Sequence, residues 1–301
     1  MELTDLRHFY NVATSKSFAR GAELSHLSPP AISKAIKRLE ASLDSDLLER
    51  TTRRVSLTDG GRALLAHCET LFAQIDEMQR DLHLADGRVR GEIRIAANEV
   101  FSTYLLPHAL ARLVRAHPDL TPRCYEMMPD QMAHWLRQGR LDVGFTIGAD
   151  ARSGVQVQPI ASSPGVLVCG PGHPLFAVGR VDLSDLQTFP SVMPESFQRE
   201  YLPALDQFPE SIPRRVGCTV ELLQMAVQLC LDGAYLGYFP EVSIRCHLRH
   251  GELRALDGLP AAPPFELCAL TRPAGRPLAS VRALIRQLDE AVAADQSPTC
   301  A

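Results

Sequence analysis

Ser28-Pro29-Pro30-Ala31-Ile32-Ser33-Lys34-Ala35-Ile36-Lys37-Arg38-Leu39-Glu40 reads as a helix that marks its own start. Ser28 is an N-cap, and Pro29 at the first helical position loses nothing, because that amide has no partner inside a helix. At about 100° per residue, Ile32, Ala35, Ile36, Leu39 and Leu43 fall on one buried stripe and leave Pro30, Ser33, Lys34, Lys37 and Arg38 opposite. A Lys/Arg face on a helix is more often solvated surface than an interface, so the neighbouring segments decide its meaning.

Upstream, a first helix is predicted from Asp5 to Thr14, with Thr4 as its cap and Leu6, Phe9, Tyr10 and Ala13 on one face. Phe18, Ala19, Ala22 and Leu24 supply a short second helix, Ser25-His26-Leu27 makes the turn, and Leu27 plugs the core. Downstream, Arg53-Arg54-Val55-Ser56-Leu57-Thr58 has the basic, β-branched character of a small hairpin. Short helix, turn, capped cationic helix and basic hairpin, in that order, spell a DNA-reading element. Ser33 and Lys34 are placed to reach base edges, Lys37 and Arg38 to meet phosphates, and Arg53 and Arg54 to act as a wing on the flanking backbone or minor groove.

That site is local. The 301 residues carry 31 basic and 35 acidic side chains, net charge −4, so the chain as a whole has no polyanion-binding signature. Apolar residues at 46% and charged ones at 22% exclude disorder, and no stretch approaches the roughly 20 apolar residues of a membrane span. Met1 to Phe9 carry Glu2, Asp5 and Arg7 instead of a secretory signal's apolar run, which predicts a cytoplasmic protein with no membrane partner. The eight cysteines form no C-x-x-C pair; most are expected to be buried reduced thiols, with no metal centre and no cofactor.

The sequence changes character twice, giving residues 1–58, a long helix at 59–86 that Asp86-Gly87 stops, and a third part at 91–301. In the long helix Leu64, Cys68, Leu71, Ile75, Met78 and Leu82 alternate in steps of four and three. That spacing suits a dimerisation seam, and equally an amphipathic helix packed on its own domain. Beyond Gly91, strand and helix patterns alternate, which implies parallel β-α-β units in two α/β lobes.

The quoted helix, together with Ser17-Phe18-Ala19-Arg20-Gly21-Ala22-Glu23-Leu24, Leu47-Leu48-Glu49-Arg50 and Leu57-Thr58-Asp59-Gly60-Gly61, resembles the winged helix-turn-helix of the LysR-type transcriptional regulators. The resemblance continues through Tyr104-Leu105-Leu106-Pro107, Leu141-Asp142-Val143 and Gly172-His173-Pro174-Leu175. It implies an effector domain of two Rossmann-like lobes, like a type 2 periplasmic binding protein, with lobe I at about 91–162 and 267–301 and lobe II at about 163–266. It further implies a homodimer or homotetramer on double-stranded DNA with an interrupted dyad operator, a small-molecule co-inducer in the inter-lobe cleft, and contact with RNA polymerase.

Strand ends that run into helix N-termini attract anions and carbonyl oxygens, and four segments have that form: Asn98, Glu99, Ser102 and Thr103; Gly148; Glu195 and Ser196; Cys218 and Thr219. Ser102 and Thr219 serve equally well as caps of their own helices. Pro29 stands where the family usually has Gln, Gly21 where it usually has Ala, and Glu99 where Ser or Thr is common. Glu99 in the cleft would disfavour a carboxylate inducer; it can instead face solvent.

Two other functions compete. A ligand-blind architectural DNA binder needs no cleft, and an enzyme on the two-lobed half needs catalytic residues. No Ser-His-Asp order, metal cluster, P-loop or GxGxxG is present, so no catalytic residue is predicted.

Overall fold

The computed structural model describes residues 1–49, 55–82, 89–148, 154–194, 207–209, 211–260, 262–272 and 278–293. It forms two compact units, one built on Met1–Leu82 and one on the residues from 89 onward.

In the first unit α1 (Leu3–Ser15), α2 (Phe18–Leu24) and α3 (Pro29–Leu43) pack around Leu6, Phe9, Val12, Ala22, Ile32, Ile36 and Leu39. The Ser17 hydroxyl caps α2 by accepting the Arg20 N–H, and the Ser28 hydroxyl caps α3 through Ala31 N–H. Thr4 caps nothing: α1 begins earlier, with Glu2 at its cap position and no side-chain bond there. Leu24 is also off the core, 49% exposed, because α2 ends at that residue; Ala22 is buried and Phe18 and Leu27 pack partly against the core. Gly21 faces α1 so closely that a Cβ would stand 2.5 Å from Val12 Cγ2 and 2.8 Å from its Cα. This close approach accounts for glycine where Ala is usual.

A two-stranded hairpin follows, β1 (Leu48–Glu49) antiparallel to β2 (Ser56–Leu57), with Leu48 opposite Leu57. Glu40 fastens it to α3, its carboxylate accepting the N–H groups of Leu47 (2.9 Å) and Leu48 (3.2 Å). Arg53 and Arg54 lie outside the described residues. The long helix α4 (Asp59–Leu82) starts at Thr58, whose hydroxyl accepts Gly61 N–H at 2.9 Å. Gly61 is required there, since a Cβ would lie 2.0 Å from the Leu47 carbonyl oxygen.

One face of α4 turns inward on its own domain. Cys68 and Phe72 are buried, the Arg7 guanidinium sits 3.6 Å from the Phe72 ring centre, and Tyr10 meets the same ring edge-on. Leu64, Leu71 and Ile75 are partly covered by this core, whereas Met78 is 55% exposed. Cys68 is thus a core residue of its own domain and not a free seam position. The Asp86-Gly87 stop lies outside the described residues, as does any account of the Leu82 side chain.

The second unit holds two five-stranded sheets. The first has the order β4-β3-β5-β12-β6, built from β3 (Gly91–Ala97), β4 (Leu120–Glu126), β5 (Val143–Ile147), β6 (Gln156–Ser163) and β12 (Phe265–Thr271). The second has the order β11-β7-β10-β8-β9, from β7 (Gly165–Cys169), β8 (Ser191–Pro194), β9 (Val216–Val220), β10 (Leu236–Pro240) and β11 (Arg254–Ala255). A π-helical turn at Phe101–Leu105 leads into α5 (Leu106–Ala116); α6 (Pro129–Arg137), α7 (Leu175–Val178), α8 (Leu183–Thr188), α9 (Leu223–Leu231), α10 (Glu241–Arg249) and α11 (Ala279–Ala293) complete the helices described.

The sheets are mixed, not parallel throughout. β3 runs parallel to β4 and β5, and β8 to β9 and β10, as β-α-β units require. β12 runs antiparallel to β5 and β6, and β7 antiparallel to β10 and β11. The reason is the connection: β6 passes into β7 through Pro164 with no helix between, and β12 returns from the second sheet into the first. Helical crossovers reset strand direction; these passages do not.

The Leu141-Asp142-Val143 motif has a structural task. The Asp142 side chain is fully buried and accepts Arg94 N–H (2.8 Å) and two guanidinium bonds (3.2 and 3.0 Å), while its own N–H donates to the Arg94 carbonyl. Backbone and side chain together lock β5 to β3, and a buried carboxylate so surrounded is satisfied where an unpaired one is very costly.

Candidate DNA-reading face and effector cleft

α3 carries the cationic face. Ile32, Ala35, Ile36 and Leu39 are buried, and Pro30, Lys34, Lys37 and Arg38 are exposed with Ser33 half-buried between them. Lys34 and Lys37 are exposed cations of this surface. Arg38 differs: its guanidinium holds both oxygens of Asp5 on α1, a carboxylate that is 5% exposed. The Arg38 hydrogen bond holds the Asp5 carboxyl below its usual value. Arg38 therefore fixes α3 against α1, and this tie limits the phosphate role expected of it.

The second candidate site is a cavity of about 240 Å³ in the two-sheet unit. Asn98, Glu99 and Val100 just after β3, Glu126 at the end of β4 with Met127 to Pro129 after it, and Thr146 and Ile147 of β5 line it from the first sheet. Pro194 of β8, Glu221 to Leu223 at the start of α9, and Pro240 of β10 line it from the second, with Gln207. Strand ends point into it from both sides, the place where open α/β sheets bind ligands.

Glu99 bridges the cavity. Its carboxylate accepts the N–H groups of Leu223 (2.6 Å) and Gln224 (2.8 Å), the unpaired amides at the start of α9. The helix end that would attract an anionic ligand is already occupied by the protein's own carboxylate. Close by, burial and the repulsion of Glu99 push the Tyr104 hydroxyl up to about 12, so it stays protonated.

Of the residues expected to bind the effector, Asn98 and Glu99 line this cavity. Ser102 spends its hydroxyl on the Asn98 carbonyl at 2.9 Å, and neither it nor Thr103 reaches the wall. Gly148, at φ +57, donates to the Glu266 carbonyl beyond the rim. Cys218 and Thr219 lie within β9, which continues to Val220, so the strand end that meets the cavity is Glu221-Leu222. Glu195 and Ser196 lie outside the described residues. Met127, Met128 and Thr146 were missed; the β4-to-α6 turn, Met127-Met128-Pro129, carried the signal as an apolar run just before a helix.

Cys68, Cys169, Cys230 and Cys268 are buried free thiols, Cys218 is half-buried and Cys124 exposed. Burial pushes Cys68 and Cys169 up to about 11, which keeps them protonated and unreactive at neutral pH. No group of three or more metal-binding side chains occurs among the described residues, and no described helix is long and apolar enough to cross a membrane.

The LysR substrate binding domain model matches residues 86–293, and the model of bacterial regulatory helix-turn-helix proteins of the lysR family matches residues 3–62. The chain belongs to the LysR family. As a LysR-type protein it is a DNA-binding transcriptional regulator. It is 35% identical over 218 residues to the SDS degradation transcriptional activation protein of a Pseudomonas species, covering 70% of each chain. With the uncharacterised HTH-type regulator YfeR of Shigella flexneri it shares 34% identity over 56% of this chain, a match spanning 54% of that protein's length. In fold, this LysR-type chain is similar to full-length OxyR from Pseudomonas aeruginosa (TM-score 0.73, 21% identity, 96% and 94% of the two chains). It is also similar to CbnR in complex with its target DNA (TM-score 0.59, 22% identity, 96% and 99%).

Proposed function

We propose that this LysR-type regulator reads its operator with Pro30, Ser33, Lys34 and Lys37 of α3 in a major groove, and that a small co-inducer in the Glu99 cavity sets the regulatory state. The observation that carries the ligand reading is the cavity itself, lined by both sheets and spanned by a hydrogen-bonded side chain. A ligand there exchanges contacts with Glu99 and with both walls, which is the differential interaction an effector needs to shift a conformational balance. The volume of about 240 Å³ is room for about eight waters, a metabolite and not a macromolecule.

The relatives named above are regulators, and catalysis forms no part of the proposal. The protein acts in the cytoplasm on double-stranded DNA as a dimer or tetramer, with α4 supplying part of the subunit contact. The cavity disfavours a ligand-blind architectural role.

A paired experiment tests both halves. Lys34→Ala should weaken operator binding by about 1–3 kcal/mol and relax sequence preference, while Lys37→Ala should weaken all duplexes evenly and lower the salt slope by about one. Met128→Trp, filling the cavity from a half-buried wall position, should abolish inducer response in a reporter while leaving the inducer-free footprint intact. Equal effects of both lysines on operator and random DNA, or an unchanged response in the cavity-filled variant, would overturn the corresponding half.

A further inference from the structure

From the charges lining the cavity and the capping of the α9 start by Glu99, we infer that it selects a small organic cation, an ammonium or guanidinium on an aliphatic body, over a carboxylate of the same size. The inference rests on the proposed role of the cavity and adds the ligand class.

Three carboxylates line the space, Glu99, Glu126 and Glu221, and no Lys, Arg or His side chain does among the described residues. Glu126 and Glu221 are exposed at the rim, free to point a negative charge toward the space. The positive end of α9 would ordinarily balance this field and draw an anion, but both of its leading amides are taken by Glu99. An entering carboxylate would have to displace that internal one, and would meet two more like charges at short range.

The walls define the rest of the ligand. Met127, Met128, Ile147 and Leu222 offer unbranched or flexible apolar surface suited to methylene groups. One buried polar group still lacks a good partner: Thr146, 1% exposed and lining the cavity, makes its sole described hydrogen bond to the Ile147 carbonyl at 3.5 Å, the weak limit for such a bond. Its hydroxyl is available to a ligand's polar atom deep in the space, while the carboxylates face a cation nearer the mouth.

Hexylammonium, hexan-1-ol and hexanoate share one aliphatic body and differ in charge, so calorimetric titration of the full chain with each separates charge from fit. Hexylammonium should bind at least about tenfold more tightly than hexanoate, with hexan-1-ol between. The gap should narrow in about 0.5 M salt, where charges beyond a few ångströms are screened, and in the Glu126→Gln/Glu221→Gln double variant, whose changes are on the surface. Hexanoate binding as tightly as hexylammonium, or a gap indifferent to salt and to both substitutions, overturns the charge selection alone. Binding of none of the three, together with a reporter response that survives Met128→Trp, overturns the cavity reading and this inference with it.

Discussion

Glu99 and Leu223 stand 124 residues apart in the chain and meet at 2.6 Å, a carboxylate at the end of one sheet's strand capping α9, a helix beside the other sheet. Removing that cap leaves two amides of α9 without an acceptor, a loss of roughly 0.5–2 kcal/mol by the usual value of an N-cap. Glu99→Ala should lower the melting temperature, and it should also free the helix terminus for outside anions. Sulfate or hexanoate is then expected to stabilise the variant more than the parent in thermal melts. Equal stabilisation of the two proteins would show that the terminus is not an anion site.

The pairing of Asp5 with Arg38 makes a pH prediction. Because the folded-state value of Asp5 is lowered, its stabilisation is complete above the ordinary carboxylate value of 3.8 and disappears as pH falls through the lowered folded value. Asp5→Asn should melt below the parent by a constant margin between about pH 5 and 8, and the margin should close in acid. The substitution also releases Arg38, so DNA affinity at neutral pH should be kept or raised if the freed guanidinium reaches phosphate. Urea melts across the pH range, with binding titrations at pH 7, measure both.

At the α1–α2 contact, Gly21→Ala adds a methyl group 2.8 Å from the Val12 Cα, so backbone and not merely a side chain must give way. The expected cost is about 1–3 kcal/mol, the usual range for overpacking. Denaturation midpoints with an unchanged slope check it.

Subunit contact along α4 is best probed where the helix is not already packed on its own domain. Met78 is 55% exposed, and Met78→Glu should weaken self-association with little change in the melting of the isolated protomer. Leu71→Asp strikes both functions, since Leu71 also packs partly against the first unit's core. Sedimentation of the two variants beside the parent distinguishes a shared seam from a purely internal helix face.

Much of the first unit was legible because its signals are local. A capping serine, a proline at the first helical position and a stripe at 3.6-residue spacing act over a single helix, and they located α3 and its exposed Lys34 and Lys37 correctly. Thr4 and Leu24 failed where tertiary context overrode the local pattern: α1 extends past the expected cap residue, and Leu24, the last residue of α2, stays exposed. The tie of Arg38 to Asp5 was not legible for a different reason, since nothing in the α3 spacing shows that a buried carboxylate lies across from it on α1.

By itself, then, the sequence determined the order of elements, the cationic helix and the two-lobed α/β character, all of which follow from periodicity and capping within a few residues. Only the tertiary structure decided which strands run antiparallel, that Asp142 is a buried tie to Arg94, and that Thr146, Met127 and Met128 share a wall with Glu99. The cavity's charge was decided there too. Glu99, Glu126 and Glu221 come from segments with no local relation, and they converge only because two separate sheets place their strand ends around one space, a long-range closure that no local pattern encodes.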